Sequence, residues 1–373
     1  MLKERLFFID KMRIMLVSWV IVFHLAITYG APGDWMYYEN SQVTVAEGAI
    51  YALFLGVSQA FFMGLYFLVS AYFTPGSLER KGTISYFKDR IIRLGIPLMI
   101  FVLAFDPIMQ YGVALAKGFT GSFLSFLGNF FSSYSIIGSG PLWFVEALLI
   151  FSAAYLLWCR FTKFPTVQRK FPSNFAIVLF ALILGLVTFT VRIWIPMAAF
   201  NFLNFQLGFF PQYIALFIIG IMAYRNNWIA QVTKRTGSIC MAISVGLILL
   251  LPVILITGIP ANYDLAVFFG GLSWQAVVYA FWEQATGIAI IIALIVLFRE
   301  KWNKPGRATR VLSANAYGAY FLFSPVIVLL ALALRGIALD PMLKFILLSP
   351  PSVAICFGLS YVVRKIPYAD RVL

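Results

Sequence analysis

One histidine and three acids stand inside otherwise apolar stretches of this 373-residue chain: His24, Asp106, Glu146 and Glu283. Histidine takes and returns a proton near neutral pH, and a carboxylate beside it fixes its tautomer and stabilises its charged form. Glu146 is the first expected orienter and Asp106 the second, although Pro107, which follows Asp106, can equally serve to kink its helix. The plain alternative for each acid is a protonated or hydrogen-bonded packing group, and for His24 a satisfied interior residue. At roughly 2.5 to 3.5 kcal/mol per charge in the middle of a bilayer, such groups need mutual pairing or a wet cavity. Counted from the outer ends of their stretches, all four lie some five to nine residues deep, about 8 to 14 Å at 1.5 Å per residue. A common level, and a polar chamber in the outer half of the membrane, is therefore expected.

Arginines supply the second chemistry. Arg13 and His24 are eleven positions apart, which returns them to within roughly 20° of one helix face and separates them by about 16 Å along the axis. Arg90 and Arg93, three apart, are neighbours on a helical surface. Guanidinium forks grip phosphate oxygens bidentately, so the three can hold a polyanion at one membrane face. Plain anchoring of that face by positive charge explains Arg90 and Arg93 as well, and also the basic run 299–310.

The elements that must position these groups are membrane helices. Hydrophobic residues make up 62% of the chain and charged ones 11%, with a mean hydropathy of +0.92. That composition describes an all-α, polytopic transmembrane helix bundle and excludes a soluble enzyme. Apolar runs predict about ten spans, at 12–31, 48–73, 91–114, 141–159, 174–193, 208–224, 237–257, 274–298, 312–334 and 343–363. Alternate connections hold 24 of the 28 Lys and Arg residues, leaving Lys117, Arg192, Arg335 and Lys344 on the other side. By the positive-inside rule both termini are cytoplasmic, and the net charge of +14 reflects topology, so no nucleic-acid partner is expected. The first run is too long for a secretory signal and reads as a retained helix. Residues 1–373 form a single integral-membrane domain on this reading, with no soluble domain. Cys159, Cys240 and Cys356 have no paired spacing, so neither disulfides nor a metal site are expected.

Two outer connections have their own character. The first carries Trp35, Tyr37 and Tyr38 with three acids, a surface suited to stacking on sugar rings or, alternatively, an interfacial aromatic belt. The second, from Ala116 to Pro141, is rich in Gly, Ser and Phe and reads as a re-entrant or interfacial segment.

These residues resemble the acyltransferase 3 superfamily of multi-pass membrane acyltransferases. DKMR, from Asp10 to Arg13, is similar to the D-G-L-R opening of that family, and the spacing on to His24 matches. FFMGLYFLVSAYF resembles the F-F-x-x-S-G stretch, with Ser70 in place and Ala71 where the family has glycine. Arg90 and Arg93, followed by Pro97, match R-x-x-R. LWFVE, with Trp143 and Glu146, resembles the W-x-x-x-E segment with one residue fewer between them. The resemblance implies an acyl-CoA co-substrate from the cytosol, no tightly bound cofactor, and a hydroxyl acceptor, commonly a carbohydrate or glycan, on the outer side of a bacterial cytoplasmic membrane. Arg13, Arg90 and Arg93 would then bind the donor, most simply acetyl-CoA. His24 would act as general base with Glu146 or Asp106 holding its ring, and Asp10, Ser70, Trp143 and Glu283 in support. A covalent acyl-histidine relay is the variant of that mechanism. The rival class is a proton-coupled transporter using His24, Asp106, Glu146 and Glu283 as a relay.

Overall fold

The computed structural model describes residues 6–39, 43–133, 139–162, 168–197, 199, 203, 205–259 and 265–373. Their regular structure is helical throughout, and ten helices are long and apolar enough to cross a membrane. They are α1 (Phe7–Thr28), α2 (Val45–Lys81), α3 (Thr83–Ala116), α4 (Gly140–Phe161), α5 (Asn174–Trp194), α6 (Leu207–Asn226), α7 (Lys234–Gly258), α8 (Trp274–Trp302), α9 (Arg307–Leu334) and α10 (Pro341–Val363). The all-α, ten-span expectation holds.

The ends differ from expectation mainly where Lys and Arg gather. α2 runs on to Lys81, α3 begins at Thr83, and α1 and α9 each begin five residues early. Apolarity marks only the stretch that meets hydrocarbon, whereas backbone hydrogen bonding continues into polar turns beyond it. Glycine then sets the stop. Gly82, at φ +72°, separates α2 from α3, and its N–H donates to the Leu78 carbonyl at 2.9 Å, a left-handed cap that a side chain would strain.

Two turns of α3 widen to π-helix, Ile91–Gly95 and Phe101–Phe105. The cause is readable in the sequence. A helical proline has no N–H and its ring presses on the carbonyl four residues earlier. For Pro97 and Pro107 those carbonyls belong to Arg93 and Leu103, each inside a widened turn. Asp106 and the Arg90/Arg93 pair thus sit where the helix departs from regular geometry. The second outer connection contains a helix, Phe123–Ser133, whose Phe123 and Phe126 pack on Tyr111; residues 134–138 of it lie outside the described residues.

The chain packs as two compact units. The first takes the chain up to Met12, Leu53–Gly82 and Thr162–Lys304. Here α8 packs against both α5 and α7, and small residues bring backbones close. A Cβ on Gly287 would meet the Ala60 carbonyl oxygen, and one on Gly220 the Leu68 carbonyl oxygen, far inside contact distance. The second unit takes Arg13–Ala52, Thr83–Phe161 and Pro305–Leu373. Its α9 and α10 pack together with Gly318 against the Ser360 hydroxyl, which donates to the Asn315 carbonyl at 2.9 Å.

Candidate functional site

In the second unit α1 carries both Arg13 and His24 without a break, so the face-sharing geometry read from their spacing stands on a continuous helix. The His24 Nδ1 lies 2.8 Å from the carbonyl oxygen of Val20, one turn earlier. A carbonyl only accepts, so Nδ1 carries the proton and Nε2 is left as the basic nitrogen. The tautomer is fixed by backbone. Among the described residues no carboxylate is within ion-pair distance of His24.

Aromatic rings surround the imidazole instead. Trp35 lies 4.5 Å from it, Phe323 of α9 4.8 Å and Phe23 5.4 Å, measured between ring centroids. Trp35 and Phe323 stack on each other at 5.9 Å and 16°. The first outer connection, then, does not display Trp35 as an open stacking surface. It folds the indole over the histidine and buries it to 8% exposure.

Several contacts hold that connection down. Glu39 N–H donates to the Thr28 carbonyl at 3.0 Å, and the Tyr51 hydroxyl to the Tyr29 carbonyl at 3.3 Å. The Glu39 carboxylate makes a largely buried ion pair with Lys344 of α10, whose ammonium also lies 5.9 Å from the centre of the Tyr29 ring. The Tyr38 hydroxyl accepts from the Trp35 N–H.

The expected acids take separate places. Glu146 is partly buried near the start of α4, and one of its carboxylate oxygens is buried without a hydrogen-bond partner among the described residues. Tyr320 of α9 donates to the Pro141 carbonyl at 3.0 Å and its ring lies 5.5 Å from Phe323, so α9 joins the start of α4 to the ring enclosure around His24. Trp143 packs edge-on against Phe144. Asp106 is fully buried, with the Gln110 amide 3.5 Å away. His24 stands four residues before the end of α1, Asp106 ten before the end of α3, Glu146 six after the start of α4 and Glu283 nine after the start of α8.

Glu283 belongs to the first unit and to a different network. Its carboxylate meets the Arg192 guanidinium at 2.7 Å with both side chains 2% exposed. Gln284 donates to the same oxygen at 2.9 Å and accepts from Gln212, which also donates to the Ala60 carbonyl. Arg192 Nε donates to the Gly208 carbonyl at 3.0 Å and the guanidinium lies over the Phe209 ring. Ser70 and Asp10 also fall in this unit; the Ser70 carbonyl accepts from the Thr74 hydroxyl at 3.1 Å, and Asp10 lies in the first turn of α1, partly exposed.

Of the three arginines, all in the second unit, Arg13 is partly buried and makes no ion pair among the described residues. Arg90 lies over the Tyr86 ring at 5.0 Å. Arg93, half exposed, pairs with Asp89 at 3.2 Å. Residues that sequence reasoning missed are Val20, Phe323 and Tyr320. Only the charge sign of Arg192 and Lys344, two of the four cations outside the basic connections, was there to be matched with Glu283 and Glu39.

The arrangement offers an unblocked imidazole base in an apolar, aromatic setting on a membrane helix. No curated protein and no solved structure matches the chain. The family model described as an acyltransferase domain does, over residues 6–361. The match runs from the first helix into the last turn of the tenth and covers nearly the whole chain, so the protein belongs to the acyltransferase 3 family and is a multi-pass membrane acyltransferase.

Proposed function

We propose that the protein moves an acyl group, acetyl in the simplest case, from cytosolic acyl-CoA to a hydroxyl of an extracytoplasmic carbohydrate at a bacterial cytoplasmic membrane. The observation that carries this reading is the Nδ1–H bond from His24 to Val20, which leaves Nε2 as a base on the same helix as Arg13. In this mechanism Nε2 removes the acceptor hydroxyl proton as the oxygen attacks the thioester carbonyl. Collapse of the tetrahedral intermediate breaks the C–S bond, and the imidazolium returns its proton to the departing thiolate. Trp35 and Phe323, both within 5 Å of the ring, stabilise the transient cation through their faces, the part first expected of a carboxylate. Arg13, Arg90 and Arg93 hold the donor phosphates, and the ~16 Å from Arg13 to His24 accommodates an extended pantetheine arm. A relay through Glu283 would instead require that carboxylate to leave Arg192.

The test uses membranes containing the parent, His24→Ala or His24→Gln, given labelled acetyl-CoA, with label counted on outer-surface glycan. Both variants are expected to lose about 10²- to 10⁴-fold in transfer. Equal transfer by parent and variants would remove His24 from the chemistry.

A further inference from the structure

A groove of about 350 Å³ lies at the end of the α9–α10 pair where α9 begins and α10 finishes, apart from the rings around His24. Arg310, Val311 and Asn315 of α9 line it together with Tyr361 of α10 and with Arg364 and Lys365 just past that helix. Three cations and no carboxylate face the space, and no acid pairs with any of the three among the described residues. Arg364 gives one terminal nitrogen to the Ala314 carbonyl, but its Nε is buried without a hydrogen-bond partner. Lys365 rests 4.5 Å from the centre of the Tyr361 ring. Asn315 is already engaged, donating to the Val311 carbonyl at 2.8 Å and facing the Ser360 hydroxyl. An anion would therefore be met by the cations alone. Beside them the surface is apolar and open, with Val311, Tyr361, Val362 and Ile366 all exposed.

We propose that this groove holds one anionic phospholipid, its phosphate between Arg310, Arg364 and Lys365 and its acyl chains along Val311 and Tyr361. Two arguments favour a lipid over a free phosphate. The positive-inside distribution of charge assigns this end of the pair to the cytoplasmic leaflet, where anionic headgroups concentrate and basic pockets between helices capture them. The cations are also joined to exposed apolar side chains, which a small hydrophilic anion would leave uncovered but an acyl chain covers.

Native mass spectrometry of the purified full chain in neutral detergent tests this, with dioleoyl-phosphatidylglycerol and dioleoyl-phosphatidylcholine as probes. The parent is expected to bind the anionic lipid about tenfold more tightly than the zwitterionic one, and Arg310→Gln/Lys365→Gln to lose most of that preference. Both side chains are exposed and make no hydrogen bond among the described residues, and an unchanged elution profile checks that the variant is intact. Equal affinity for the two lipids, or an unchanged preference in the variant, would overturn the proposal. So would displacement of the bound lipid by excess coenzyme A in the parent, which would assign the groove to a soluble phosphate.

Discussion

In the first unit Glu283 meets an arginine at 2.7 Å, a glutamine at 2.9 Å and, through that glutamine, a further amide and a backbone carbonyl. In the second, the His24 side chain has, among the described residues, one hydrogen bond to its own helix and otherwise touches rings. Both are ionisable groups inside predicted spans, where either is costly without compensation. The compensation differs in kind. Glu283 has a fixed opposite charge and serves as a clamp between helices that are distant in sequence. His24 is compensated only by being neutral and by ring faces that favour a cation when one forms. A group whose charge is already answered has little freedom to exchange protons, whereas one left neutral beside polarisable faces can do so. Partner chemistry separates the two.

The largest effect should come from breaking the clamp. Glu283→Ala leaves Arg192 charged and buried, and is expected to cost about 3–5 kcal/mol of stability, read as a lower unfolding temperature and lower yield in detergent. His24→Ala should cost only about 1–2 kcal/mol on the same assay, since it removes partial packing and one hydrogen bond to an accepting carbonyl. A His24 variant as unstable as the Glu283 one would erase the distinction drawn between the units. The comparison sharpens with Arg192→Met/Glu283→Met. Replacing a buried pair by apolar side chains of similar volume is often neutral or stabilising, so the double variant should recover most of the stability lost by Glu283→Ala. A double variant no better than the single would mean that the surrounding glutamines, not the ion pair, hold the network.

Ring contacts around His24 should matter less than His24 itself. Trp35→Leu removes one of two faces within 5 Å of the imidazole, and a cation–π contribution of roughly 0.5–2 kcal/mol corresponds to about a 2- to 30-fold fall in kcat. Donor KM should move little, because Trp35 lies at the far end of α1 from Arg13. A fall in affinity for the donor with kcat unchanged would instead make Trp35 part of the binding path.

Why some of this was legible and some not follows from what each contact is made of. The ten spans were legible because twenty apolar residues have few other fates, and their polar end turns were not, because hydrogen bonding beyond the hydrocarbon leaves no hydropathy mark. The Arg13-to-His24 register was legible because helix periodicity is fixed. Val20 was invisible as the orienting group, since every helical residue offers a carbonyl to the residue four places on. Phe323 stands 299 positions from His24, one phenylalanine among 38, so nothing local marks it. Arg192 was visible as a lone cation apart from the basic connections, yet its pairing with Glu283 depends on how α5 meets α8, which a single sequence does not encode locally.

The smallest effect concerns the arginines, and it carries the same contrast to Arg13 and Arg93 of the second unit. Arg93 is half exposed and already paired with Asp89 one turn away, whereas Arg13 is partly buried and pairs with no acid among the described residues. If a charge that is already answered contributes less, Arg93→Ala should raise donor KM by only about two- to threefold, and its stability cost should stay below about 0.5 kcal/mol, as for other exposed pairs. Arg13→Ala should raise it further, by roughly tenfold, since a phosphate would be its first anionic partner. Titrating acetyl-CoA against membranes carrying each variant, with kcat and KM resolved, ranks the two directly. Equal effects would mean that the donor displaces Asp89 from Arg93 on binding, and Asp89→Asn should then lower donor KM below that of the parent.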